Sequence, residues 1–522
     1  MQVKKSAITI AVMLWVTLLS QLQLAAQNKA KQDHPHNPHH YQLVDLGSTF
    51  GGPQSYLVPG SGEDFAGSSV LNRRGTVAGF ADTSQPDPFS PNFCWSSDCL
   101  VGYTFRAGSG GVLTSLGALR GGGSSAPIWI SANGLIAGIS ENGATDPLYA
   151  GFPVQHAVVW HQGQIRDLGT LPEGGYQSEA NAVNSAGQVV GSALNTIPDA
   201  NSMAVGNYFY FYVPYGYQQR AFLWDKRHGM QDLGTLPGGT DAEALLINEP
   251  GQVVGYSYTA STQSGACYPL ATSSFIWEKE KGMTDLGGFG GTCTLVMALN
   301  NQGQVVGGSE FAGDQSASAF LWENGSLHKL GGSLGGDTTW AYAINERGEA
   351  VGYGSLPGNC TNGQARFHAV LWKNVKSITD LGVIGSDPCS YAAAINAETQ
   401  VVGASGGGGN GFRAFLWDGS IFDLNTLIPP GSALYLQFTN AINDRGEIAG
   451  TGVDASGNGH AFLLIPCDEN HRGIEGCDYS VVDAATAAQG PVPHYVPSGA
   501  DLQHQSRRRN RYHIPGLKAP GN

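Results

Sequence analysis

Ile344-Asn345-Glu346-Arg347-Gly348-Glu349-Ala350-Val351-Gly352 is the stretch that decides the fold. An Asn three residues before a Gly suits a tight turn, because its side chain can cap a type I turn while the Gly supplies the positive φ that closes a hairpin. With an apolar run on each side, the stretch reads as two antiparallel strands. The phrase recurs at Leu71-Asn72 to Gly79, Ile130-Ser131 to Gly138, Val183-Asn184 to Gly191, Ile247-Asn248 to Gly255, Leu299-Asn300 to Gly307, Ile395-Asn396 to Gly403 and Ile442-Asn443 to Gly450. Seven of the eight copies carry the Asn, which makes this turn a fixed part of a repeat.

Two further phrases follow it in constant order. One is an aromatic strand, weak at Phe105 and clear at His156 to Trp160, Arg220 to Trp224, Ser274 to Trp277, Ser318 to Trp322, His368 to Trp372, Arg413 to Trp417 and His460 to Leu464. The other is Asp-Leu-Gly or a near relative, starting at Asp45, Ser115, Asp167, Asp232, Asp285, Lys329, Asp380 and Asp423. Aromatic strand, Gly-containing turn and Asp-Leu-Gly make a second hairpin, so each repeat holds four short strands in about fifty residues, the size of a β-propeller blade. The expected order runs from the Asn-phrase strand innermost, through Val-Val-Gly and the aromatic strand, to Asp-Leu-Gly outermost. The repeated Asp is read as structural, bonding to nearby turn amides.

The ends of the repeat region predict a closed ring. The chain enters with a lone third phrase at 41–47 and finishes, over 437–464, with a first and second phrase that lack a third. An N-terminal strand that completes the last blade would leave little open sheet edge. The expected fold is therefore all-β: a propeller of eight four-stranded antiparallel blades, ring-closed by the N-terminal strand, with seven blades as the alternative count if the degenerate copy at 102–117 is decoration.

The phrases resemble the HAF family of extracellular repeats, named for a His-Ala-Phe strand that is complete here at His460-Ala461-Phe462 and varied at His156-Ala157-Val158 and His368-Ala369-Val370. The resemblance extends to the Asp-Leu-Gly-Thr-Leu-x-Gly-Gly run at 167–175 and 232–239, and covers roughly 41–465. It implies secretion and a β-repeat fold, with no enzymatic activity attached. Strand order and the Gly-Gly pairs are also similar to a kelch propeller, a looser analogy.

The flanks carry other readings. Lys4 and Lys5, an apolar run from Ala7 to Leu19 and the small residues Ala25-Ala26 predict an export signal over 1–26. A His-rich linker (27–40) follows, in which His34, His36, His39 and His40 read as solvated and not as a metal site, and the propeller (41–465) leads to a disulfide-containing, then disordered, tail (466–522). No later run is long enough to span a bilayer. The composition of 75 Gly with 13% charged residues describes turns and short strands, and a net charge of -14 argues against nucleic-acid binding. All eight cysteines follow the signal, and the pairs Cys267-Cys293 and Cys360-Cys389 occupy equivalent places in two repeats, which puts both loops on one face. Cys94-Cys99 and Cys467-Cys477 would pair locally.

On that face the loop from the Val-Gly glycine to the next Trp position varies from 14 residues (403 to 417) to 33 (191 to 224). The longest insertion crowds Tyr208, Tyr210, Tyr212, Tyr215 and Tyr217 with two Phe into ten residues, a candidate ligand surface. The resulting expectation is a monomeric, non-enzymatic extracellular module that needs no cofactor or metal and presents its loops to a glycan, peptide or surface protein. The alternative is a polysaccharide-acting propeller enzyme using carboxylates among Glu141, Asp146, Glu173, Glu179 and Asp199, two of them at a defined separation.

Overall fold

The computed structural model describes residues 39–47, 50–57, 69–95, 98–203, 216–260, 264–360, 365–407, 411–471 and 477. The expected signal segment, most of the His-rich linker and the tail beyond Cys477 lie outside them. Within the described residues the chain forms antiparallel four-stranded units, and no helix there is long and apolar enough to cross a membrane.

Eight such units follow one another as blades. The first spans 51–115, so the degenerate copy is a blade in its own right, and the next six span 125–167, 178–232, 242–285, 290–329, 339–382 and 389–423. The fourth and fifth are joined by a single parallel bridge, Thr272 to Cys293, which merges them into one extended sheet. The eighth is assembled from both ends of the repeat region: Tyr41–Asp45 pairs with Gly459–Pro466, which continues through Ile448–Val453 to Tyr435–Ile442. Val44 faces Leu463 and Asp45 faces Phe462 in that register.

Each recurring residue has a defined job. In the Asn turn, Asn345 Oδ1 accepts from the amides of Arg347 and Glu349, both at 3.0 Å, while its Nδ2 donates to the carbonyl of Asn396 in the next blade at 3.0 Å. The same side-chain link runs Asn184 to Asn248, Asn248 to Asn300, Asn300 to Asn345 and Asn396 to Asn443. Blade 2 lacks the Asn; there Asn133 Nδ2 reaches the Ser185 carbonyl at 2.9 Å. The chain of links returns on itself through Asn443 and Asn72.

A serine at the start of the inner strand stitches blades together. Ser178 Oγ accepts from the Ala157 amide at 2.9 Å and donates to the Gly169 carbonyl at 2.6 Å, both in the preceding blade. Ser55 does the same to Ala461 and Leu46 across the junction of blades 8 and 1, so that junction is built like the others. The Phe of the aromatic strand fills the space between blades, with Phe105, Phe222, Phe275, Phe320, Phe415 and Phe462 all fully buried.

The glycine of Val-Val-Gly answers to a bulge opposite it. In blade 2 the inner strand slips register between Pro127 and Trp129, and a Cβ on Gly138 would sit 2.1 Å from the Ala126 carbonyl oxygen. The Asp of Asp-Leu-Gly takes the amide of its own Gly, as Asp167 takes Gly169 N at 2.8 Å, and also meets the residue two before the Phe or Val of the aromatic strand. That partner is His156 at 2.9 Å, Arg220 at 2.9 Å, Ser273 at 2.6 Å, His368 at 3.0 Å and His460 at 3.0 Å. The pairing of the aromatic strand with Asp-Leu-Gly is therefore a cross-strand lock in these five blades.

Four disulfides are formed, Cys94–Cys99, Cys267–Cys293, Cys360–Cys389 and Cys467–Cys477. The second and third tie equivalent loops to the starts of inner strands.

Candidate functional site

Beneath the strand repeat lies a set of positions that do not repeat. In each inner strand the residue paired with the one after the Val-Val-Gly glycine changes from blade to blade: Tyr56, Ala126, Glu179, Glu243, Leu295, Trp340, Tyr391 and Phe438. The inner strands of adjacent blades pack on one another, so these side chains gather around the axis, where Leu245, Ala393 and Asn440 keep partial exposure.

One arc is aromatic. Trp340, Tyr342, Tyr353, Tyr391 and Phe438 belong to a single buried cluster that continues through Leu295 and Met297 to Tyr256, with Phe367 and Phe412 packed against it and half-buried. Ring centroids are 5.7 Å apart for Tyr342 and Tyr353, 5.5 Å for Tyr353 and Phe367, 6.1 Å for Tyr391 and Phe412, and 5.5 Å for Phe412 and Phe438. These separations are typical of interacting rings.

The other arc is polar and acidic. Glu243, 7% exposed, accepts at Oε1 from Asn181 Nδ2 at 3.0 Å and at Oε2 from Gln219 Nε2 at 3.0 Å and Tyr256 OH at 3.1 Å. All three donors are neutral, and among the described residues no cation pairs with this carboxylate. A carboxylate offers about four acceptor sites, so one remains. In the preceding blade Glu179 occupies the same place, with Ser192 Oγ 3.4 Å from its Oε1. Tyr256 joins the two arcs, since its ring lies in the aromatic cluster and its hydroxyl on Glu243.

The residues singled out from the sequence fall elsewhere. Tyr208, Tyr210, Tyr212 and Tyr215 lie outside the described residues. Tyr217 is described, packs edge-on to Tyr149 at 6.4 Å and belongs to the base of the insertion. That base is closed by the Asp199 amide on the Gly216 carbonyl at 2.8 Å and by Asp241, whose Oδ1 accepts from Met203 N at 3.0 Å and Gln219 N at 2.8 Å. Met203, the last described residue before the insertion, is fully buried in the aromatic cluster.

The alternative carboxylates are mostly occupied in structure. Glu141 receives Trp95 Nε1 at 2.6 Å and the amides of Gly123 and Ser124 at 2.9 and 3.1 Å, and burial outweighs these bonds to push its carboxyl up to about 7. Asp146 holds Gln177 and the Leu148 amide, Asp199 caps the Asn201 amide, and Glu173 is exposed. Only Glu179 of the five reaches the axis. Glu243, Trp340 and Tyr353 were not singled out by sequence reasoning; the usable signal was the one inner-strand position that changes chemistry within an otherwise uniform phrase. Among the described residues, no group of three His, Cys, Asp or Glu could hold a metal ion.

No family model matches the chain and no curated protein matches it. Solved structures similar to it include the propeller domain of the Trilobed protease from Pyrococcus furiosus, at 12% identity over 63% of this chain and 91% of that one, with a TM-score of 0.36. Prolyl endopeptidase is matched at 10% identity over 77% of this chain and 55% of that one, with a TM-score of 0.43. Puromycin hydrolase is matched at 11% identity over 82% and 62%, with a TM-score of 0.38. This chain spans less than two thirds of the last two, and none of these likenesses assigns a residue or an activity here. Their names run against the expectation of a non-enzymatic module that offers its loops to a glycan, peptide or surface partner, and that expectation is withdrawn. The geometry moves attention the same way, since the side chains that the fold brings together lie on the axis and not in the loops.

Proposed function

We propose that the axial site receives the ammonium end of a small amine-bearing substrate, which makes this a substrate-handling propeller. The observation that carries the reading is Glu243: a buried carboxylate, held by three neutral donors and paired with no cation among the described residues, joined through Tyr256 to an aromatic cluster. A charge buried without a counter-ion is costly, and an incoming ammonium would offset that cost. Aromatic faces attract the same cation through the ring quadrupole. Glu179 adds a second negative charge to the arc, and charge of one sign in a low-dielectric site concentrates ligands of the other.

Calorimetric titration with 2-phenylethylamine, set against a neutral alcohol of the same shape, tests the reading. The amine is expected to bind and the alcohol not, with Glu243→Gln erasing the difference. Equal binding of amine and alcohol by the unaltered protein would refute it. The recurring phrases support placing the chain among HAF repeat proteins, and four disulfides support an oxidising, extracellular destination.

A further inference from the structure

Blades 4 and 6 place different chemistry at the same two facing positions. In blade 4 Glu243 stands opposite Tyr256, and the Tyr hydroxyl donates to the carboxylate. In blade 6 the corresponding pair is Trp340 opposite Tyr353. Among the described residues no acceptor meets them: Trp340 Nε1 and Tyr353 OH are both buried without a hydrogen-bond partner there, in side chains only 2% and 5% exposed.

Space has been made for this arrangement. Gly308 takes the place in blade 5 that Tyr256 and Tyr353 take in theirs, and a Cβ on it would lie 2.2 Å from Trp340 Cδ2. The indole is therefore seated where a neighbouring side chain would otherwise stand. Buried N–H and O–H groups are nearly always satisfied in folded proteins, and two unsatisfied donors that face each other across one strand pair point to an acceptor supplied from outside.

We infer that the ligand of the axial site is bipolar: an amine that also carries a carbonyl-type oxygen, its ammonium at Glu243 and its oxygen at Trp340 Nε1 and Tyr353 OH. This rests on the amine reading above and deepens it. A Trp N–H is donor only and cannot serve the ammonium, and burial holds the Tyr353 hydroxyl far above its ordinary pKa, keeping its proton in place as a donor. The aromatic cluster between the two poles would take the apolar body of the molecule.

The test compares 2-phenylethylamine, which has ring and ammonium only, with 4-(2-aminoethyl)benzamide, which adds a carbonyl at the far side of the ring, at about pH 6 where both amines are protonated. The unaltered protein is expected to bind 4-(2-aminoethyl)benzamide about ten-fold tighter. Tyr353→Phe and Trp340→Phe, which keep an aromatic ring and remove the donor, should each bring that ratio towards one. A ratio near one in the unaltered protein, or a ratio untouched by both substitutions, would overturn the bipolar assignment and leave the amine reading standing. Failure of 2-phenylethylamine and 4-(2-aminoethyl)benzamide alike to bind would overturn both.

Discussion

Asn443 Nδ2 donates to the main-chain carbonyl of Asn72 at 3.0 Å, across 371 residues of sequence. The bond has the same form as Asn345 to Asn396 and Asn396 to Asn443, so the last blade addresses the first as every other blade addresses its successor. With the Tyr41–Asp45 strand completing blade 8 and Ser55 stitching blades 8 and 1, three separate devices close the ring at one junction.

Asn345→Ala removes two bonds to turn amides, one to the Glu349 carboxylate and one inter-blade bond at a position that is 6% exposed. A loss of roughly 1–3 kcal/mol is expected, the cost of stranding buried backbone groups. Urea denaturation measures it. Ser131→Ala, in the one blade built without this Asn, should cost less.

Gly138→Ala should be among the most damaging of small substitutions. The added Cβ meets main chain, which cannot move aside without breaking the bulge, and a penalty of roughly 3 kcal/mol is expected. Gly110→Ala is the control, because a Cβ there meets nothing within 4 Å. Comparing the two melting temperatures checks the reading of the repeated glycine.

Closure of blade 8 should weaken as pH rises. The bond to Asp45, on the closing strand, holds the His460 imidazole above its ordinary pKa. A group raised in the folded state contributes stability that is complete below its unfolded pKa, about 6.5, and is lost as pH rises through the folded value. The expected loss is on the order of 1 kcal/mol for a charge-assisted bond of this kind. Thermal melts between about pH 6 and pH 9 should show it, and His460→Gln should flatten that part of the profile.

Breaking Cys267–Cys293 should loosen the axial site as well as the loop. Cys293 lies in the aromatic cluster, one residue from Thr294 on the inner strand, and the bridge closes 26 residues. Cys267→Ser with Cys293→Ser is expected to cost about 3 kcal/mol on the chain-entropy estimate. Protection of the Tyr256 and Tyr258 amides from hydrogen exchange should fall with it.

The fold was legible because its signals are local and repeated. Asn turns, the Val-Val-Gly glycine and the His or Arg that locks to Asp-Leu-Gly each recur at a spacing that a strand hairpin explains. The two terminal half-sets of phrases even announced the split blade. The axial site was not legible for the opposite reason. Glu243 and Trp340 sit in the most regular phrase of the repeat, where only their departure from it marks them, and their meeting depends on curvature around a ring that no single repeat encodes. The Tyr-rich insertion drew attention through composition, yet its described base serves to seat Met203 in the aromatic cluster.

A crystal structure of the protein with 4-(2-aminoethyl)benzamide tests the central claim most directly. The account predicts the ligand nitrogen within about 3 Å of Glu243 and its ring against the aromatic cluster around Trp340. Density for the ligand in the outer loops with an empty axis, or a nitrogen turned away from Glu243, would contradict it.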